Sequence, residues 1–329
     1  MKKLHEDDAE SYVKALVYGQ PGTGKTSFGV TAPKPLILLS ERQGYTHVKQ
    51  AAARLGRAVP PVLLIERAED LRNVARGVHS ASKSGATELV VHDDSGTEVY
   101  RGPMPETLVV DSITDAFRLL DEEIKRDAPP KKGVDGLDVV SERYWNTLQD
   151  RGEKIIRGFR NLPCHVLFLA LQDDKTVGEG DAAERIVAPS LPMRRMPSML
   201  AAAVNVVGIT TRAIRPPREG KKEQARVVFA VRTVGPSYYM LKPCRPLRDV
   251  EVPDFSSWVA RLADMSLLAP DTGLEDSERT SEPESDSGDH GEAPSDPHTQ
   301  TEPAPVADAP PAQRRRRVRP NPNPTTSET

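Results

Sequence analysis

The sequence predicts an α/β fold, a mainly parallel sheet flanked by helices and extended on its C-terminal side by antiparallel strands. Three observations predict it. Short, continuously apolar runs such as PLILLS (35–40), TLVVDS (107–112) and CHVLFLALQ (164–172) read as strands buried on both faces. Helical stretches with one apolar stripe lie between them, so strand and helix alternate as parallel crossovers require. Beyond residue 204 the order changes. VNVVGITTRA (204–213), ARVVFAVRT (225–233) and SYYMLK (237–242) follow one another through short turns, which predicts antiparallel neighbours.

Taken in order, YVKALVY (12–18) is a strand that runs into a glycine-rich loop, and a helix starts at about Lys25 and stops before Pro33. Residues 45–57 read as a helix and VLLI (62–65) as a strand. The next helix, 66–83, carries Leu71, Val74, Ala75 and Val78 on one stripe. ELVVHDDSGTEVYRG (88–102) alternates around Asp-Ser-Gly, so a β-hairpin inserted at about 87–101 is expected. After TLVVDS, a helix places Ile113, Ala116, Phe117, Leu120 and Ile124 on one face. Ser141 caps a long helix bearing Trp145, Leu148, Ile155, Phe159 and Leu162, with Trp145 and Phe159 expected in the core. A polar loop (173–185), a short helix near 194–202 and a last helix, DFSSWVARLAD (254–264), complete a domain over 1–265.

Residues 266–329 are rich in Glu, Asp, Ser and Pro and end in RRRRVRP. So little apolar surface cannot offset the entropy of ordering, and this segment is expected to be disordered. Residues 271–329 carry 13 acids against 6 arginines, which leaves the first 270 residues with a net charge of +4 despite the overall -3. Such a balance permits nucleic-acid binding without demanding it. The 2 cysteines, Cys164 and Cys244, exclude a disulfide framework or zinc cluster. The opening MKKLHEDDAE lacks the apolar stretch of a signal peptide, and no run is long enough to span a bilayer. A soluble cytoplasmic protein without a membrane partner is expected.

The glycine-rich loop is a full Walker A motif, Gly19-x-x-x-x-Gly24-Lys25-Thr26, between a strand and a helix. Gly19, Gln20, Pro21, Gly22, Thr23, Gly24, Lys25, Thr26 and Ser27 are the expected phosphate cradle. Glycines let backbone N–H groups turn inward on phosphate oxygens, and the helix start adds its positive end. Lys25 is assigned to the β and γ phosphates of ATP and Thr26 to Mg²⁺. Asp111, closing LVVDS, is the expected second metal residue. The residue after it is Ser112, where many ATPases carry a water-orienting glutamate. The missing group is sought on neighbouring strand ends, which converge on one crevice in a doubly wound sheet. Glu41, just past LILLS, is the candidate catalytic acid, and Gln172, closing LALQ, the candidate sensor of the γ-phosphate.

LILLSE, LVVDS and LALQ together resemble the RecA-like ATPase core. In that family a strand ending in glutamate supplies the catalytic acid, a Walker B strand ends in Asp-Ser, and a strand ending in glutamine leads into a DNA-binding loop. The stretches YGQPGTGKTSF, LVVDSITDAF and NLPCHVLFLALQ are similar to a compact, phage-type group of such ATPases, covering roughly the first 255 residues. Leu39 and Arg42 depart from that group, which often has Asp before and Gly after the glutamate. The resemblance implies single-stranded DNA as partner, recombination or annealing as context, assembly into a ring or filament, a possible single-strand-binding protein, and host cytoplasm as location. It also implies DNA contact by loop 173–185, although that loop carries five acids (Asp173, Asp174, Glu179, Asp181, Glu184) beside Lys175 and Arg185. Arg194 and Arg195 are further phosphate candidates, and Arg232 and Lys242 candidates for action in a neighbour's site. Two alternatives stay open: an AAA+-type loader or helicase subunit, and a nucleotide-dependent binding module that does not hydrolyse.

Overall fold

A computed structural model describes residues 12–129, 131–132, 138–139, 141–177, 183–215 and 226–264. The chain divides into two units, Met1–Asp271 and Thr272–Thr329, and every described residue lies in the first. The tail expected to be disordered lies outside the described residues, as does the tip of loop 173–185 (178–182).

Thirteen strands and seven helices are described: β1 (Lys14–Gly19), α1 (Lys25–Val30), β2 (Pro35–Leu39), α2 (Gly44–Leu55), β3 (Val62–Leu64), α3 (Ala68–Ser84), β4 (Glu88–His92), β5 (Glu98–Pro103), β6 (Thr107–Asp111), α4 (Ile113–Asp127), β7 (Lys131–Lys132), β8 (Asp138–Val139), α5 (Glu142–Arg160), β9 (His165–Val177), β10 (Glu184–Pro189), α6 (Met196–Ala203), β11 (Val206–Arg215), β12 (Arg226–Arg232), β13 (Val250–Glu251) and α7 (Phe255–Ala263). The central sheet runs β13-β12-β11-β1-β9-β6-β2-β3, with β10 paired to β9 outside this path. From β11 to β3 every pairing is parallel, and β12 and β13 add antiparallel strands at the far edge.

Both sheet faces are covered, as the apolar runs require. On one face Leu71, Val74, Phe117, Leu148, Phe159 and Leu200 from α3 to α6 pack on Leu16, Leu38, Val110 and Phe168. On the other, Phe28, Val48, Phe255 and Trp258 from α1, α2 and α7 pack on Val17, Ile37, Val109 and Leu169. Serine and aspartate caps open three of the helices. Ser112 accepts from Asp115 N, Ser141 from Tyr144 N and Asp254 from Ser256 N. α7 is fastened to the end of α1, where Phe255 N donates to Thr31 Oγ1 at 2.8 Å and the Trp258 ring lies edge-on to Phe28 with centroids 5.0 Å apart.

Three local expectations give way. β9 does not stop at Gln172. It continues to Val177 and pairs antiparallel with β10, from Gln172↔Pro189 to Val177↔Glu184, so most of the expected loop is a hairpin. Asp173, Asp174, Lys175 and Arg185 sit on that ladder, and alternation there masks the strand signal with charge. SYYMLK forms only isolated bridges, Val187↔Tyr239 and Val207↔Lys242. β13 gave no sequence signal, being two residues long. Trp145 is 40% exposed, while the residues of α5 buried in the core are Tyr144, Leu148, Ile155, Ile156 and Phe159. Tyr144 is the buried aromatic there, and its hydroxyl donates to Asp121.

Candidate nucleotide site

β1 is buried along its whole length and delivers Gly19 to the carboxyl end of the sheet, where the chain turns into α1. Gly22 and Gly24 have φ of 76° and 88°, the left-handed region that favours glycine, and they shape the turn. Among the described residues, the backbone N–H groups of Gly22 and of Gly24 to Ser27 donate to no protein acceptor. An anion that accepts from several of them at once therefore fits the loop. Lys25 Nζ lies across it and donates to the carbonyls of Gly19 (2.9 Å) and Gln20 (2.8 Å). Burial lowers the Lys25 pKa, and the nearby Asp111 carboxylate pulls the other way.

Thr26 Oγ1 donates to Asp111 Oδ2 at 2.7 Å, joining α1 to the end of β6. Burial raises the Asp111 pKa, opposed by the Thr26 hydrogen bond and by Lys25. A desolvated carboxylate paired with a hydroxyl is a hard-oxygen set suited to Mg²⁺. Ser112, the next residue, accepts from Asp115 N at 3.2 Å and caps α4, so the position after Asp111 is structural.

β2 lies directly beside β6, with Leu39 opposite Asp111. Ser40 closes the junction, its N–H donating to Asp111 O and its hydroxyl to Ser112 O. Glu41 follows at the same end of the sheet, exposed and with its carboxylate in no hydrogen bond or ion pair among the described residues. Gln172 is the first residue past Leu171, which pairs with Gly19. Strand alternation places it on the face of Phe168 and Ala170, opposite α1.

The remaining candidates separate. Lys175 pairs with Asp173, and Arg185 with Asp174 at 2.7 Å, so the two hairpin cations are neutralised within the hairpin. Arg194 and Arg195, just before α6, are exposed and without ion pairs among the described residues. Lys242 Nζ is taken up by the carbonyls of Ala201 and Val204 beyond the opposite end of the sheet. Arg232 lies on β12 opposite Ile209.

Two residues that touch the loop were not foreseen. Thr210 Oγ1 lies 2.6 Å from Thr23 Oγ1 and 3.3 Å from Tyr18 O, and a Cβ on Gly19 would meet it at 2.0 Å. The Phe229 ring sits 3.3 Å from where a Gly24 Cβ would be. Both come from the β11–β12 ladder, some two hundred residues along the chain, and no local pattern marks them as neighbours of the loop.

No curated protein matches this chain. Among solved structures, a chain described as "Structural and biochemical analysis of a prototypical ATPase from the type III secretion system of pathogenic bacteria" is similar at 10% identity and a TM-score of 0.33, over 60% of this chain and 52% of that one. The present chain thus spans about half the length of that ATPase. The AAA domain family matches residues 11–212, which take in the phosphate loop, Asp111 and Thr210. With a parallel sheet carrying a glycine-rich strand–loop–helix turn and the buried carboxylate Asp111 two strands away, the chain belongs to the AAA domain family of P-loop nucleotide-binding proteins.

Proposed function

We propose that this protein binds and hydrolyses Mg-ATP as a RecA-like ATPase and acts on single-stranded DNA, in phage recombination, annealing or replication. The observation that carries the reading is the junction of β2 and β6. The residue after Asp111 is a helix cap, so the water-orienting group has to come from elsewhere, and the neighbouring strand end supplies Glu41. In this reading the N–H groups of Gly22 to Ser27 bind the phosphates and Lys25 moves from the loop carbonyls onto the β and γ oxygens. Thr26 and Asp111 would hold a magnesium ion, which would supply positive charge to offset that on the phosphate oxygens. Glu41 orients the attacking water, and Gln172 relays the state of the site to the β9–β10 hairpin. Arg194 and Arg195, exposed and without ion pairs among the described residues, meet the DNA backbone. The protein assembles on DNA as a ring or filament.

ATP hydrolysis by the full chain, with and without single-stranded DNA, tests this. Stimulation by DNA and loss of turnover in Glu41→Gln are expected. Turnover indifferent to DNA overturns the DNA reading. Turnover in Glu41→Gln equal to that of the parent removes Glu41 from the chemistry.

A further inference from the structure

We propose that Phe229 is the residue on which the nucleobase stacks, making the β11–β12 ladder the nucleoside side of the site. This rests on the reading that the phosphate loop binds a nucleoside triphosphate. The direction follows from where the metal-type pair lies. Thr26 and Asp111 mark the β,γ-phosphate end, on the β9–β6 side of β1. The nucleoside, at the other end of the triphosphate, leaves on the opposite side of β1, where β11 and β12 stand.

Phe229 is the aromatic that contacts the loop on that side. Its ring lies against Gly24, the residue that opens α1. It is half-buried and belongs to neither apolar core cluster. Val231, two residues on and on the same face, is fully buried and packs with the cluster of Trp258, so the core beneath is closed without Phe229. Arg212 stands opposite Phe229 on the ladder, exposed and without ion pair among the described residues, which places a solvated cation beside the ring. Aromatic residues make up only 5% of the chain, and Phe28, Phe117, Phe159, Phe168 and Phe255 are buried, which sets Phe229 apart from them. A half-buried ring held against the loop suits stacking, which tolerates any base and orients it without hydrogen bonds.

The test separates base from phosphate. Mg-ATP and inorganic tripolyphosphate are titrated into the full chain by calorimetry, for the parent protein, Phe229→Leu and Phe229→Tyr. Leucine retains apolar contact with Gly24 and removes the π-face. The expected result is a loss of ATP affinity of at least about fivefold in Phe229→Leu, with tripolyphosphate affinity unchanged and Phe229→Tyr close to the parent. An equal loss for both ligands overturns the proposal and makes Phe229 a wall of the loop. Unchanged affinity for both also overturns it. If the parent protein binds neither ligand, the phosphate-loop reading fails first, an outcome distinct from both.

Discussion

Gly19→Ala is the substitution whose consequence the structure fixes most closely. Gly19 is not among the glycines with left-handed φ, so its backbone tolerates alanine. The obstacle is Thr210 Oγ1, 2.0 Å from the new Cβ, where real Cβ atoms essentially never come within 3.0 Å of a neighbour. At least 1 Å must be recovered. Separating β1 from β11 breaks a ladder that runs from Ala15↔Val206 to Tyr18↔Ile209. Rotating the Thr210 side chain is the cheaper route, and it withdraws the hydroxyl from Thr23 and from the Tyr18 carbonyl. Overpacking together with one or two lost hydrogen bonds comes to about 2 kcal/mol. Thr210→Ala alone forfeits the hydrogen bonds, about 1 kcal/mol. In the double variant the 2.0 Å contact is gone and only the 3.1 Å approaches to Thr210 O and Thr23 Oγ1 remain, so the two losses should fall short of additivity by about 1–2 kcal/mol. Urea unfolding of the parent, both single variants and the double variant measures the coupling from the shift in midpoint at constant slope. Strict additivity would refute the argument, because it would mean that the contact with Thr210 is not why glycine stands at 19.

Three further expectations follow from other parts of the structure. Asp111→Asn removes a charge that burial already disfavours, so the ligand-free protein should lose less than ~1.5 kcal/mol, while the gain in ATP affinity on adding magnesium disappears; nucleotide titrations with and without the metal check this, and an undiminished gain would remove Asp111 from the metal site. Lys14, 7% exposed and donating to the Leu162 and Cys164 carbonyls, has its pKa lowered by burial to about 8, below its ordinary 10.5. Between those values the unfolded chain binds the extra proton, so stability rises with pH there, by about 1 kcal/mol from pH 7 to 9. In Lys14→Met that contribution should vanish; equal slopes of unfolding free energy against pH in both proteins would refute it. Trp258→Ala empties the junction of α7 with Phe28 and should cost about 3–5 kcal/mol, read by urea unfolding; a loss under ~1 kcal/mol would show that α7 does not hold α1 in place.

The parts legible in the sequence are those that local physics dictates. β1, β6 and the first half of β9 are buried on both faces, so composition alone marks them. The phosphate loop announces itself because three glycines and a lysine at fixed spacing have little other use, and Asp111 because its strand ends where a charge would otherwise be costly. The strand order was not legible. That β2 lies beside β6, bringing Glu41 toward Asp111, depends on pairing across seventy residues. The β9–β10 hairpin was hidden because a strand standing in solvent on both sides can carry Asp173, Asp174 and Lys175 in place of an apolar row. Thr210 and Phe229 were hidden for the opposite reason. Their role lies wholly in what they touch, and nothing in GITTRA or VVFAV points at a glycine two hundred residues away.

The length of β9 ties two ends of the molecule together. One strand lies beside the first residue of the phosphate loop at Leu171 and continues, without a break in pairing, into the hairpin with β10. A second tether runs through Tyr18, whose hydroxyl donates to Val187 O, halfway along β10. No joint with its own freedom lies between loop and hairpin, as a flexible linker would provide. Gly19 and the hairpin are therefore joined by continuous pairing along one strand and by the Tyr18 hydrogen bond. If a ligand at the hairpin distinguishes the nucleotide-bound from the nucleotide-free protein, its affinity and that of the nucleotide must change by one common factor, in whichever order they bind.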